Sequence, residues 1–244
     1  MLSCEIDRTL PVTVLQVDGE LRLRTVSQVR VAVLKCLVEC PEAVVVDLSG
    51  VVVGDRIALT VFRAVSRQAA MWPSVPLVLA AAPPDTRAQL ERITSLWQIP
   101  VYPSVEEALA DAALRPLPVR RLELALRAGT MALPRARAMV SEACSTWGLG
   151  DLTLPAELIM SELVSNAVQH SGTDFTASVV LRQEFLHLTV TDGCAEPPRK
   201  SPRYPPADAL SGRGLLLVDE FATNWGCLPI HGGKTVWATL RIVG

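Results

Sequence analysis

Several things are scarce in this sequence, and each scarcity excludes something. There is no excess of basic charge: 23 Lys and Arg stand against 25 Asp and Glu, for a net charge of -2 and a pI of about 6.0. That argues against nucleic acid or an anionic membrane as a partner. No apolar run reaches the length that spans a bilayer; the longest clean one, "VPLVLAAA", ends at Pro83-Pro84. The opening "MLSCEIDRTLPVTV" lacks the basic-then-apolar order of a signal peptide, so a cytoplasmic location is expected. The six cysteines, at 4, 36, 40, 144, 194 and 227, include no Cys-x-x-Cys pair. A disulfide framework is not expected in a chain this large and apolar. Cys36 and Cys40, one helical turn apart, read as small buried hydrophobes rather than a redox pair. The three histidines, 170, 187 and 231, have no metal-site spacing, and no internal repeat is visible.

What is present is enough apolar material for a core. Half of the 244 residues are hydrophobic and 20% are charged, the balance of a globular chain with one large domain or two small ones. The two halves are written differently. In the first, strand and helix signals alternate. "VTVLQVDGELRL" reads as a hairpin around Asp18-Gly19. "TVSQVRVAVLKCLVE" has helical period, and "EAVVVDLSG" is a buried strand between Pro41 and Gly50. "DRIALTVFRAVSRQAAMW" is a helix with Asp55 as its N-cap, "PLVLAAA" a second buried strand, "DTRAQLERITSLWQ" a helix and "VYPS" a short strand. "SVEEALADAAL" closes this half as a helix with a capping box at Ser104 and Glu107. One sheet covered by helices accounts for that alternation.

"LRPLPVRR" packs two prolines and three arginines into eight residues and reads as a linker. The expected domains are therefore 1–115 and 116–244. The second half offers a strand "VRRLELAL", a helix from Pro134, the helical "SELVSNAVQH", and strands "FTASVVLRQ" and "FLHLTVTDG". A long proline-rich loop follows. Then come "GRGLLLVDEFATNWG", read as a helix, and "GGKTVWATLRIVG", a turn and a final strand.

"SELVSNAVQH" carries the chemistry. Met160, Leu163, Val164, Ala167 and Val168 form one apolar face, and Glu162, Asn166 and His170 line its border. A polar row at the edge of a buried face is a solvated stripe or a cleft wall. "TVTDGC" puts Asp192 at the end of a buried strand, where an acid must meet a donor or simply make a turn before Gly193. "SGRGLLLV" puts Gly212 and Gly214 at a helix start, where backbone N–H groups and the helix dipole favour phosphate.

In this order, "SELVSNAVQH", "VTDG", "GRGLLLV", "NWG" and "GGKTVWATL" resemble the ATP-binding domain of anti-sigma-factor serine kinases. These belong to the GHKL superfamily, and the resemblance covers roughly residues 119–244. It implies ATP and Mg²⁺ as cofactors and a GHKL (Bergerat) α/β sandwich. It implies Asn166 as the Mg²⁺ ligand, Glu162 as the general base, and Asp192 with Gly193 at the adenine amino group. Gly212, Arg213, Gly214 and Leu215 would form the phosphate lid and the helix start behind it. Thr235 would lie in the adenine pocket, and Arg137 would contact a protein partner, with Arg135 a near-equal candidate. His170 receives no catalytic role. The family's first glycine box, often Asp-x-Gly-x-Gly, here reads Asp192-Gly193-Cys194-Ala195.

"AVVVDLSGVVVGDRIAL" resembles the signature of STAS domains, the fold of anti-sigma-factor antagonists, over roughly residues 5–114. Where that family carries its phosphorylatable serine, this chain has Arg56, between Asp55 and Leu59. Arg56 is neither a phosphoacceptor nor a phosphate mimic, and its charge opposes the helix dipole. The expectation is a mixed α/β (α+β) chain: a STAS-like sheet covered by helices, then the GHKL domain. Its expected function is an ATP-dependent serine/threonine kinase acting on a separate STAS-type antagonist, with a sigma factor as a further partner, a homodimer suggested by the family, and no nucleic acid or membrane contact. Arg56 would mark a non-phosphorylatable regulator in cis. The alternative is a non-catalytic, ATP-dependent sequestering scaffold. A histidine-kinase fragment is disfavoured, because no dimerisation helix with a phosphoacceptor His precedes the ATP domain.

Overall fold

The computed structural model describes residues 2–7, 11–38, 40–94, 99–114, 119–198, 214–230 and 232–242. They cluster into two compact units, Met1–Leu117 and Pro118–Gly244.

In the first unit the strands are β1 (Leu2–Asp7), β2 (Val12–Leu21), β3 (Ala43–Val53), β4 (Leu77–Ala80) and β5 (Val101–Tyr102). They form a sheet in that order, with β1 antiparallel to β2 and the rest parallel. The helices are α1 (Val26–Val38), α2 (Thr60–Met71), α3 (Pro84–Thr94) and α4 (Val105–Leu114). Residues 44–46 of β3 are all fully buried valines, as a parallel strand covered on both faces requires. Val12, Ala43, Val45, Val78 and Ala80 pack with Ala108 of α4 on one face, while α1 packs on α2 and against β1, β2 and β3. The Ser104 hydroxyl accepts from the Glu107 N–H at 3.2 Å, one half of the expected capping box.

The hairpin expected at Asp18-Gly19 is not formed. β2 runs straight through the pair, bonded to β1 on one side and β3 on the other. A turn there would need its two arms to pair with each other, and both arms already have other partners. Asp18-Gly19 instead follows a register shift between Gln16 and Asp18, and Gly19 takes up the irregularity at φ 103°. Asp55 is not the cap it was expected to be. It precedes a short 3-10 turn, Arg56–Leu59, with no side-chain cap bond, and its Oδ2 accepts instead from the Leu23 N–H at 3.0 Å.

The second unit has β6 (Arg120–Leu126), α5 (Ala132–Trp147), α6 (Thr153–His170), β7 (Phe175–Arg182), β8 (Phe185–Asp192), α7 (Gly214–Phe221), β9 (Asn224–Ile230) and β10 (Gly233–Arg241). Its sheet is antiparallel throughout, in the order β6-β7-β8-β10-β9. Alternate residues of β7, β8 and β10 (Val179, Leu188, Val190, Val236, Ala238) join Val140, Ile159, Leu163 and Val164 of α5 and α6 in one core, a sheet with helices laid on it. "NWG", read as the end of a helix, opens β9: the helix stops at Phe221. The Gly226 backbone then lies against the Trp237 ring, where an added Cβ would come within 2.8 Å.

Candidate nucleotide site

α6 positions the first two candidates. Its apolar residues Met160, Leu163, Val164 and Ala167 are buried in the core, which fixes the rotation of the helix and leaves Glu162 and Asn166 half-buried at its border. Burial raises the Glu162 carboxyl above the ordinary range, and the nearby Arg137 charge works in the opposite direction. The Arg137 Nε donates to Ser161 Oγ at 2.6 Å, and that hydroxyl donates to the Glu157 carbonyl at 2.6 Å. Arg137 was expected at a partner surface. Its guanidinium also ties α5 to α6 one residue from Glu162. Arg135 makes no such bond among the described residues.

Asn166 is unusual in another way. Its Oδ1 is buried without a hydrogen-bond partner among the described residues, and a buried acceptor left unmet costs about 1–3 kcal/mol. The residue lines a cavity of about 220 Å³ with His170, Glu196, Pro197, Pro198 and Lys234. A buried amide oxygen without a partner, on a residue that lines a cavity, suits a hard cation that takes oxygen ligands, so this end of the site fits Mg²⁺. Among the described residues no cluster of three or more His, Cys, Asp or Glu could hold a metal by itself. His170 ends α6 and is exposed there. A larger cavity of about 500 Å³, lined by Asp219, Trp225 and Cys227 among others, meets neither Glu162 nor Asn166.

Asp192 ends β8 and is buried. Its Oδ1 accepts from the Cys194 N–H at 2.8 Å and from Lys234 Nζ at 3.0 Å. Lys234 faces Asp192 directly across the β8–β10 ladder. Gly193 donates its N–H to Thr173 Oγ1 at 3.0 Å. Gly233 lets β10 approach, since a Cβ there would fall 1.9 Å from the Asp192 carbonyl oxygen. The structure does not bring Thr235 to Asp192. Strand side chains alternate, so Thr235 points to the other face, where its hydroxyl meets Thr191 Oγ1 at 2.9 Å. Lys234, which the sequence reading passed over, holds that place. Its parity was the available signal: Lys234 shares a face with Val236, Ala238 and Leu240, which belong to the core.

Gly214 starts α7, Leu215 is buried behind it, and α7 packs on α6. Gly212 and Arg213 lie outside the described residues. In the first unit, Arg56 is exposed at the start of its 3-10 turn. Leu23, Val52 and Ile57, 58%, 64% and 67% exposed, belong to the same stretch of chain or are bonded to it through Asp55. All six cysteines are free thiols, and among the described residues no helix is long and apolar enough to cross a membrane.

Comparison with known proteins agrees with this two-part architecture. Residues 3–108 match the STAS domain, and residues 126–239 match the histidine kinase-like ATPase domain. An anti-sigma factor antagonist from Mycobacterium paratuberculosis aligns at 23% identity and a TM-score of 0.41, over 46% of this chain and 95% of its own. The RsbU and RsbW domains of a Mycobacterium tuberculosis protein align at 20% identity and a TM-score of 0.38, over 53% of this chain and 35% of theirs. The histidine kinase AdeS of Acinetobacter baumannii aligns at 12% identity and a TM-score of 0.29, over 78% of this chain and 96% of its own. No curated protein matches. The two domain matches together make the chain a STAS domain followed by a GHKL-type, histidine kinase-like ATPase domain.

Proposed function

We propose that this protein is an ATP-binding regulator of the partner-switching kind. In this reading its second domain is a serine/threonine kinase and anti-sigma factor acting on a separate STAS-type antagonist. The observation that carries the reading is the border of α6: a half-buried carboxylate, Glu162, one turn from Asn166, which lines a cavity and whose buried Oδ1 has no hydrogen-bond partner among the described residues. When bound, Mg²⁺-ATP supplies the phosphoryl group and the cation that offsets its charge. The chain's own residues supply position and a proton acceptor. Asn166 would hold the cation. Glu162 would take the proton from the substrate hydroxyl as its oxygen bonds to phosphorus and ADP leaves. A carboxyl raised by burial is a better base for that step than an ordinary glutamate. Asp192 and Gly193 would stand at the base, and Gly214 and Leu215 would begin the helix behind the phosphates.

The STAS domain would serve as a regulator that cannot be switched by phosphate. Arg56 replaces the acceptor serine, and exposed Leu23, Val52 and Ile57 offer apolar contact near it. The experiment is phosphate transfer from labelled ATP to a STAS protein bearing serine at the position Arg56 holds here. Transfer by the wild type, lost in Glu162→Gln with nucleotide binding kept, supports the kinase. Binding without transfer in the wild type supports the second reading, an ATP-dependent sequestering scaffold. The specific observation favouring that second reading is the lysine already bonded to Asp192.

A further inference from the structure

From the first turn of α6 to its last, every fourth residue falls on one winding row: Leu154, Leu158, Glu162, Asn166 and His170. Residues four apart are neighbours on a helix surface, and the row turns by only about 40° at each step. Glu162 and Asn166 belong to the nucleotide site. Leu154 and Leu158 have no part in it, yet they are 73% and 38% exposed. One exposed leucine needs no explanation. Two of them, one turn apart and in line with a half-buried carboxylate, extend the site as an apolar strip outside the cavity at Asn166. Arg137 flanks the strip. It is exposed on α5, and its Nε is held by the hydroxyl of Ser161, three residues from Leu158. The terminal nitrogens of its guanidinium make no hydrogen bond among the described residues.

We propose that Leu154, Leu158 and Arg137 form the docking surface for the protein substrate, a separate STAS-type protein, and bring its acceptor hydroxyl to Glu162. The proposal rests on the kinase reading above. The chemistry of such a partner is visible in the STAS fold of this chain. Around the position of Arg56, Val52 and Ile57 are exposed, and Asp55 binds the N–H of exposed Leu23. Asp55 also sets a carboxylate directly before the acceptor position. A turn of that composition, with serine in place of Arg56, complements the strip three ways. Its apolar side chains meet the leucines, its carboxylate meets the guanidinium of Arg137, and its hydroxyl meets Glu162.

Steady-state phosphate transfer from Mg²⁺-ATP to the serine-bearing STAS protein, with the full chain as kinase, tests this. The double variant Leu154→Gln, Leu158→Gln changes two exposed helical positions to a neutral helix former. It is expected to raise KM for the protein substrate about tenfold. The kcat at saturating substrate and the calorimetric affinity for Mg²⁺-ATP should stay as in the wild type. Leu158→Met, which keeps the apolar contact, should behave as the wild type. Each single Gln variant should raise KM about threefold, so a double variant that does not fold leaves the test in place. An unchanged KM in the folded variants overturns the proposal and leaves the kinase reading standing. A loss of ATP affinity alongside the rise in KM also overturns it, because the leucines would then support the nucleotide site. So does a wild-type dimer, seen by sedimentation, that the double variant separates: the strip would be a surface between copies. If the wild type transfers no phosphate, the same STAS protein is titrated into it with Mg²⁺-ATP present. Binding that the double variant loses would then uphold the docking surface without the kinase, and no binding by the wild type would overturn both.

Discussion

The two domains spend burial differently. Among the described residues of the STAS domain the buried polar ones are Thr13, Ser74 and Thr86, none of them charged. The ATPase domain buries Arg182, His187, Asp192 and Lys234 as well as several hydroxyls. Burying ionisable groups is costly unless they are paired. A fold that needed only stability could use the apolar filling of its neighbour. The difference sets the domain with the Asn166 cavity apart: its core holds ionisable side chains among the described residues, as the proposed nucleotide site would need.

The largest effect should come from breaking the buried pair. Asp192→Ala leaves Lys234 charged and alone, and urea unfolding should show a loss of about 3–5 kcal/mol in the second domain. Replacing both partners by apolar residues of similar volume should restore most of that loss. A loss under 1 kcal/mol for the single variant would mean the pair is solvated, and the contrast between the domains would weaken.

His187 gives the next effect. It is fully buried, its two nitrogens have no hydrogen-bond partner among the described residues, and its ring lies 6.2 Å from that of Phe185. Burial first, and the Arg182 charge second, lower its pKa to about 3. The unfolded chain takes up a proton near pH 6.5 that the native state refuses. The stability this group contributes is therefore present above about pH 6.5 and lost as pH falls toward 3, at roughly 1.4 kcal/mol per pH unit. Unfolding between pH 7 and 5 should show that slope, and His187→Phe should flatten it. An unchanged slope would place the acid sensitivity elsewhere.

A smaller effect is expected at Glu162, the proposed general base. The pH profile of phosphate transfer should fall on the acid side at a higher pH than an ordinary glutamate would give, since burial raises Glu162. Arg137→Ala removes the opposing charge, so the acid limb should move to still higher pH. A limb that moves down or stays put would separate Arg137 from Glu162. The smallest effect belongs to the STAS domain. Arg56→Glu exchanges an unfavourable charge at a helical start for a favourable one, worth about 0.3–1 kcal/mol, readable as a small rise in melting temperature.

How much of this could be read from sequence differs from element to element. α6 was legible because apolar residues at helical spacing left Glu162 and Asn166 on one border, and tertiary packing kept that face. The β3 strand was legible because an unbroken valine run between turn residues suits burial on both sides. Asp18-Gly19 misled because a hairpin signal says nothing about which strands the arms will pair with. "NWG" was lost to the helix before it because a short strand with a glycine has almost no period of its own. Lys234 was missed because a lysine beside two glycines reads as an exposed turn. Its parity with Val236, Ala238 and Leu240 points inward, and the ladder with Asp192 supplies the partner that makes burial possible.

The central claim is that Asn166 anchors a metal–nucleotide site on α6. The most direct measurement is calorimetric titration of Mg²⁺-ATP into the wild type and into Asn166→Ala. The account predicts saturable, Mg²⁺-dependent binding by the wild type that the substitution abolishes. Equal binding by both proteins, or none by the wild type, would contradict it.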